Sequence, residues 1–147
     1  MEEKSTGDLG QELMSQPDLD AYIRENSELF AVQDFAALLA ALYDKKDISK
    51  AALARRAGIS EVYLHQVFSG RRNPSRDRLV CICVGLGASL EETQTLLKHA
   101  GYAQLYPRVK RDAIISHGLI HGTELNEIND KLFAFKPFAS GEVELTS

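Results

Sequence analysis

The sequence is poor in the features that mark membrane-bound, secreted and disulfide-bonded proteins. None of its apolar runs approaches the roughly 18 residues that a membrane-spanning helix requires. The N-terminal residues lack the basic start and the apolar centre of a signal peptide, so we expect a cytoplasmic protein without a membrane partner. Only two cysteines occur, Cys81 and Cys83, and their position within one apolar run indicates reduced core thiols, not a disulfide framework or a zinc site.

Motifs of catalysis and cofactor binding are also missing from the sequence. It has no phosphate-binding loop and no nucleophile paired with a base, and its carboxylates fall in acidic segments and at helix starts. His117 and His121 lie four residues apart and could share one helix face, but no HExxH motif and no nearby Cys or acidic partner completes a metal site. We therefore expect no enzyme activity, no cofactor and no metal.

Sustained alternation of apolar and polar residues between turn signals is absent, which argues against a sheet and for an all-α fold. The chain instead carries the pattern I-S-x-x-x-L twice, at Ile48–Leu53 and at Ile59–Leu64. In each copy the serine is a preferred N-cap, and the isoleucine and leucine fit a hydrophobic staple across the helix start. Gly58 stands between the copies, where a left-handed residue must end the first helix. The pattern predicts two short helices, Lys50–Ala57 and Glu61–Phe68, joined by a tight turn, which together form a helix-turn-helix.

Other helices are predicted from apolar periodicity, caps and turn residues. They cover about residues 34–44, 76–86, 89–100, 108–121 and 124–135, with Pro107 opening the fourth. A shift of 35 residues lays Arg76-Asp77 on Arg111-Asp112, among several other matches. This repetition favours a second helical hairpin that packs on the first.

The net charge of −4 conceals a basic centre between two acidic ends. Residues 49–78 hold 7 Lys/Arg against 2 Asp/Glu, a net of +5, and residues 79–111 have a net charge of +2. Residues 1–48 have a net charge of −7, and residues 112–147 have a net charge of −4. Because the basic centre contains the predicted helix-turn-helix, the charge distribution indicates a nucleic-acid partner, although such a patch can also be a merely solvated face.

Five segments follow from this organisation. They are a mobile acidic tail at 1–17, a short N-terminal helix at 18–31, a helix-turn-helix DNA-binding domain at 32–105, a C-terminal helical hairpin packed on it at 106–136, and a tail at 137–147.

The segment Ser49–Ser75 resembles a known DNA-binding motif. The residues that carry the resemblance, together with the following "FSGRRNPS", are Leu53, Ala54, Gly58, Ile59, Ser60, Leu64 and Val67. At these spacings they are similar to the helix-turn-helix of phage Cro and C1 repressors, the XRE family of regulators. The resemblance implies a lambda-repressor-like five-helix domain over about residues 32–100, here extended by the C-terminal hairpin. It also implies a double-stranded DNA partner and a homodimer.

The resemblance also implies roles for individual residues, because in that family the second helix of the motif enters the major groove. The residues expected to face the bases are Glu61, Val62, His65 and Gln66. Those expected at the DNA backbone are Lys50, Arg55, Tyr63, Ser69, Arg71, Arg72 and Arg76. The core positions are Leu53, Leu64 and Val67. Arg56 and Arg78 are expected to be structural and paired with carboxylates of neighbouring helices.

Two questions stay open at the level of sequence. Phe133, Phe135 and Phe138 either close the core, which is the interpretation we favour, or form a dimer contact. The chain is expected to be a transcriptional regulator of the repressor type. The alternative is a protein-binding adaptor or antitoxin-like partner that uses the same helical scaffold.

Overall fold

The computed structural model describes residues 6–15, 17–25, 35–136 and 144–145, and the chain divides into two compact units, residues 1–34 and 35–147. All regular secondary structure within the described residues is α-helical, which confirms the predicted all-α fold. The first unit contains α1 (Thr6–Ser15) and α2 (Leu19–Glu25). The second contains α3 (Phe35–Asp44), α4 (Lys50–Ala57), α5 (Glu61–Phe68), α6 (Arg76–Leu86), α7 (Leu90–His99), α8 (Lys110–Ile120) and α9 (Leu125–Ala134). None of the helices among the described residues has the length and apolar character that crossing a membrane requires.

Helix α1 lies within the segment for which the sequence predicts a mobile tail without periodicity. Its first turn carries Asp8, whose charge is favourable at a helix N-terminus, and Leu9 and Leu13 are spaced as an apolar pair on one face. These local signals favour a helix, and the expectation of an irregular segment is corrected for residues 6–15. Helix α2 occupies the first part of the predicted helix 18–31, while residues 26–31 lie outside the described residues.

The two predicted serine caps are present at the starts of α4 and α5. The Ser49 hydroxyl accepts a hydrogen bond from the N–H of Ala52 at 3.1 Å, and the Ser60 hydroxyl accepts one from the N–H of Tyr63 at 3.0 Å. Ile48 and Ile59, which precede the caps, are partly buried against the core. The doubled sequence pattern is therefore confirmed as two helix starts.

Gly58 ends α4 in the left-handed conformation, with φ 68° and ψ 31°. A side chain is strained in this region, which explains why glycine occupies it. The N–H of Ile59 then returns to the carbonyl of Ala54 at 3.0 Å, so the chain reverses within one turn before Ser60 starts the next helix. This turn sets α5 at an angle to α4.

Helix α6 is the centre of the second unit. Its residues Leu79–Cys83 are all fully buried, and α4 packs closely on one side of it. The close approach depends on Gly85, since a Cβ at that position would lie 3.1 Å from the backbone nitrogen of Ala57. Because α6 is apolar on all of its faces, each face must pack against another helix, and α4, α7 and α9 pack against it.

The C-terminal hairpin α8–α9 packs on the helix-turn-helix domain through α6 and α7. Helix α8 begins at Lys110, two residues later than predicted from Pro107, because residues 106–109 form a turn in which the Val109 N–H bonds to the Tyr106 carbonyl at 3.0 Å. Near the C-terminus, Leu145 is buried in the same core, and its N–H bonds to Asn129 Oδ1 at 2.7 Å. The sequence gives no local signal for that contact.

The aromatic residues near the C-terminus do not close the core as we expected from the sequence. Phe133 and Phe135 are 56% and 55% exposed, while Phe138 lies outside the described residues. The core positions of α9 are instead Ile128 and Leu132, which are four residues apart and share the inward face.

Candidate nucleic-acid interface

Helix α5 separates its residues cleanly into an inner and an outer face. Leu64 and Val67 are fully buried, as predicted for core positions. The outer face is formed by three exposed residues that take no part in the core, Glu61, Val62 and His65. Gln66 is half-buried at the edge of this face. Val62 is 69% exposed and lies between the two charged or polar side chains of this face.

Glu61 and His65 are neighbours on this outer face. The Glu61 Oε1 atom lies 3.8 Å from the His65 Nε2 atom, and both side chains are 54% exposed. Residues at i and i+4 on a helix can pair in this way, at little gain in stability when they are so exposed. Two of the four predicted base-reading side chains are therefore close enough to influence each other's position.

The basic turn after α5 is fixed to the end of that helix. The Gln66 carbonyl accepts hydrogen bonds from the N–H groups of Arg71 at 2.9 Å and Arg72 at 3.2 Å, and from the Ser69 hydroxyl at 3.0 Å. Both arginine side chains remain exposed. The structure thus brings two cations to the end of the helix that would read bases.

Ser69 was predicted to hold a DNA phosphate, but both of its donors are engaged within the end of α5. Its hydroxyl donates to the Gln66 carbonyl, and its N–H donates to the His65 carbonyl at 3.0 Å. Since a phosphate accepts hydrogen bonds and donates none at neutral pH, Ser69 contributes to the helix end and we do not retain it as a backbone contact.

Arg76 was also predicted to contact the DNA backbone, and the structure directs it elsewhere. Its Nε donates to the Ala103 carbonyl at 2.9 Å, and its Nη2 donates to the Gln104 carbonyl at 3.2 Å and to Asp112 Oδ2 at 3.3 Å. The side chain is 25% exposed. Arg76 therefore ties α6 to the segment that leads into α8, and we correct its assignment.

Lys50 lies at the N-terminus of α4, as predicted, and its position is set by aromatic rings. Its Nζ atom is 5.0 Å from the centroid of Phe68 and 5.8 Å from that of Tyr43. The two rings meet edge to face, with centroids 5.1 Å apart. Cation–π contacts of this length hold an ammonium group in place while leaving its donors available.

The ring of Tyr63 contacts two guanidinium groups. The Cζ atom of Arg78 is 4.5 Å from the ring centroid, and that of Arg72 is 5.7 Å from it. The three side chains border an open pocket of about 420 Å³ beside α5. We call it the Tyr63 pocket, and its lining consists of Gly58, Ile59, Ser60, Val62, Tyr63, Gln66, Arg72 and Arg78.

Arg78 does not behave as the sequence predicts, because within the described residues no carboxylate pairs with it. Sequence reasoning missed it as a member of the site. Tyr63 and Arg78 are 15 residues apart and on different helices, so only the packing of α5 against the start of α6 brings them together. The one available signal was that Arg78 lies in the first turn of a helix that directly follows the basic turn.

Arg55 and Arg56 lie on another side of α4. Both line a pocket of about 440 Å³ that also includes Gly58, residues 122–124 before α9 and the first two residues of α9. Glu124 is part of this lining, so the local charge is mixed. The geometry does not bring Arg55 into the Tyr63 pocket.

Potential metal ligands do not assemble in the part of the chain that the structure describes. No group of three or more His, Cys, Asp or Glu residues is placed to hold an ion there. His117 and His121 do approach each other, with ring centroids 4.2 Å apart. Cys81 and Cys83 are free and buried, as predicted, and burial raises the pKa of each thiol to about 12. Neither thiol is therefore available as a thiolate near neutral pH.

Comparison with protein families agrees with this geometry. A family model described as a helix-turn-helix domain matches residues 34–96, which contain α3 to α6 and most of α7. The match supports a DNA-binding helix-turn-helix domain in this part of the chain. Comparison with curated proteins finds no match, and comparison with solved structures finds none either.

Proposed function

We propose that this chain is a sequence-specific regulator of transcription, repressor-like and of the XRE type, that binds double-stranded DNA through α5. The observation that carries the proposal is the outer face of α5. This helix starts at a serine cap and presents Glu61, Val62 and His65 to solvent. It is flanked by Arg71 and Arg72, which lie at its end. An exposed helix of this kind beside cations fits the major groove of a duplex.

The proposed base contacts follow from the chemistry of the outer face. Gln66 can pair bidentately with adenine, Glu61 can accept a hydrogen bond from the cytosine amino group, and Val62 can pack on a thymine methyl group. His65 is the fourth proposed reader, close to Glu61. Glu61 carries the same negative charge as the phosphates, so it is tolerated near them only where its base partner is present.

The proposed backbone contacts supply affinity that does not depend on sequence. They are made by Lys50 at the start of α4, by Arg71 and Arg72 after α5, and by the Tyr63 hydroxyl, with Arg55 further along α4. Each neutralised phosphate releases counterions, so binding through these residues must weaken steeply as salt concentration rises.

We also propose that the chain acts as a homodimer. Regulators of this type read two half-sites about 10 base pairs apart, which requires two copies of the domain. The exposed Phe133 and Phe135 on the C-terminal hairpin support a contact between copies, because neither is used in the core. Sedimentation of Phe133→Ser plus Phe135→Ser should then show a monomer, whereas an unchanged dimer would exclude this surface.

The experiment that tests the main proposal is selection of bound sequences from a random duplex pool, followed by a salt titration on the selected duplex. We expect two related half-sites and a strong salt dependence, reduced in Arg71→Ala plus Arg72→Ala. Absence of binding to any duplex at low salt would refute the proposal.

Gln66→Ala distinguishes base reading from general affinity. It should lose about 1–3 kcal/mol on the selected duplex and almost nothing on random DNA. Asn126→Ala, which removes an exposed amide from α9, is the matched control and should leave both affinities unchanged. Equal losses of Gln66→Ala on both duplexes would show that Gln66 does not read a base.

A protein-binding adaptor or antitoxin-like partner is the second candidate function. It is favoured by an apolar pocket of about 460 Å³ on the C-terminal hairpin, lined by Lys110, Ala113, Ile114, His117, Lys131 and Phe135. A protein partner held there would survive charge reversal at Arg71 and Arg72, whereas DNA binding would not. Purification of the complex before and after that reversal separates the two functions.

A further inference from the structure

We propose that the Tyr63 pocket binds one backbone phosphate of the DNA duplex between the guanidinium groups of Arg78 and Arg72. The inference rests on the proposed function and deepens it, because it replaces Arg76 by Arg78 as the cation that α6 contributes to the interface. It also gives Tyr63 a second role, as the residue that positions that cation.

Among the described residues, Arg78 has no anionic partner of its own. Two other arginines of the same region are paired, Arg76 with Asp112 and Arg111 with Asp77. Among the described residues no carboxylate lies within 4.0 Å of the guanidinium of Arg78 or of Arg72. A half-buried cation has lost part of its hydration, so it gains more from an incoming anion than an exposed one does.

Arg78 is held in place by the ring of Tyr63. Its Cζ atom lies over the Tyr63 ring, 4.5 Å from the centroid, and this cation–π contact holds the guanidinium at the edge of the pocket. Within the described residues its N–H groups pair with no carboxylate, so they remain available to an incoming acceptor. A planar guanidinium with a free edge fits a phosphate bidentately, and prior placement by the ring reduces the entropy lost on binding.

The Tyr63 pocket lies directly beside the proposed base-reading residues. It is lined by Val62 and Gln66, two of the proposed base-reading residues, together with both arginines. A strand whose bases face Val62 and Gln66 must pass its sugar-phosphate backbone along the edge of α5. Two guanidinium groups at that edge match a phosphate and not the uncharged edge of a base.

The test compares the salt dependence of DNA binding by the full chain and by Arg78→Gln, on the selected duplex and on random duplex. One lost phosphate contact should lower the slope of log K against log salt by about 0.9. The affinity should fall by a similar factor on both duplexes. Arg108→Gln, which removes an exposed arginine outside the pocket, is the matched control and should keep the wild-type slope.

The possible results separate this inference from the proposed function. If the wild-type chain binds DNA and Arg78→Gln keeps its slope, the phosphate site is wrong while the proposed function stands. A loss confined to the selected duplex, with the slope unchanged, would make Arg78 a base reader and would also overturn the inference. If the wild-type chain binds no duplex at all, the proposed function fails and the phosphate site fails with it.

Tyr63 variants test the positioning role. Tyr63→Phe retains the ring and should keep the slope contribution of Arg78, whereas Tyr63→Leu should lose it while the thermal unfolding transition remains cooperative. A wild-type slope in folded Tyr63→Leu would exclude positioning by the ring. Arg72→Gln, at an exposed position, should lower the slope to a similar extent, and adding Arg78→Gln should lower it little further, because both cations hold the same phosphate.

Inorganic phosphate distinguishes a DNA phosphate from a free one. We expect millimolar phosphate at constant ionic strength to leave DNA binding unchanged, because a single ion lacks the neighbouring contacts of the duplex. Competition by millimolar phosphate that disappears in Arg78→Gln would show a site for the free ion and would overturn the assignment to DNA.

Discussion

Arg111 donates two hydrogen bonds to the carboxylate of Asp77, from Nη1 to Oδ1 at 3.2 Å and from Nη2 to Oδ2 at 2.9 Å. The guanidinium is 7% exposed and also donates to the Glu144 carbonyl at 3.1 Å. The neighbouring residues form the reverse pair, in which Arg76 reaches Asp112. The repeated Arg-Asp dipeptide thus places one arginine and one aspartate on each helix, and the two ion pairs cross between α6 and α8.

Removal of Arg111 from its ion pair with Asp77 should destabilise the fold strongly. Arg111→Leu leaves the Asp77 carboxylate without its main partner, and we expect a loss of about 3 kcal/mol in the free energy of unfolding. Urea denaturation measures it. The exposed control Arg108→Leu should change stability by less than about 0.5 kcal/mol. Adding Asp77→Leu to Arg111→Leu should recover part of the loss, and failure to recover any would show that the pairing is not the cause.

A side chain at Gly118 should conflict with Ile128. A Cβ built on Gly118 would lie 2.6 Å from both Cγ1 and Cδ1 of Ile128, which is closer than side chains pack. Gly118→Ala should therefore cost about 1–3 kcal/mol, although alanine favours the helix. In the background of Ile128→Ala the nearest side-chain atom is 3.8 Å away, and the same substitution should cost nothing. A double-mutant cycle with no coupling would contradict this packing of α8 against α9.

The two buried thiols should resist labelling. Burial raises the pKa of Cys81 and Cys83 from the ordinary value near 9 to about 12, so the reactive thiolate is scarce at neutral pH. We expect a thiol reagent to label the native chain only at the rate of unfolding, and both thiols to react at once in urea. Lys98→Cys, at an exposed position on α7, should react immediately in the native state. Rapid labelling of the wild-type chain would show that α6 is accessible.

Glu92 should make stability depend on pH in the acid range. The hydrogen bond from the Ser89 N–H, at 2.8 Å, lowers the pKa of Glu92, and Lys46 at 3.0 Å contributes to the same shift. A lowered pKa in the folded state stabilises the protein above the ordinary value of 4.5, and the stabilisation is lost as the pH falls through the folded value. Glu92→Gln should consequently be less stable to unfolding than the wild type at pH 7, and the difference should shrink as the pH falls below 4.5. The exposed neighbour Glu91→Gln should show a much smaller difference at pH 7.

The features predicted most accurately from the sequence are the helix bounds, which interactions between neighbouring residues determine. The bounds of α4, α5 and α6 agree with the predicted ones, because a serine hydroxyl, a left-handed glycine and a proline act within a few residues of themselves. The sequence also predicts which residues of α5 are buried, since Leu64 and Val67 are three residues apart on one face of the helix.

The sequence failed where two distant segments decide the outcome. The sequence did not reveal the partners of Arg76 and Arg78, since the nearest carboxylate and the nearest ring depend on which helices meet. Phe133 and Phe135 are apolar, yet they lie outside the inward face set by Ile128 and Leu132. Leu145 is buried within a short polar segment that has no periodicity. Each of these depends on packing between elements, for which a single sequence carries no spacing rule.

The outer face of α5 can be substituted without disturbing the fold. Glu61, Val62 and His65 contribute to no cap hydrogen bond and to no buried contact, so their replacement leaves the scaffold intact. The cations after α5 are held through the backbone carbonyl of Gln66, which any residue at that position would supply. Under the proposed function, target preference would change through a few substitutions on one helix, while folding and general affinity for the duplex would stay constant.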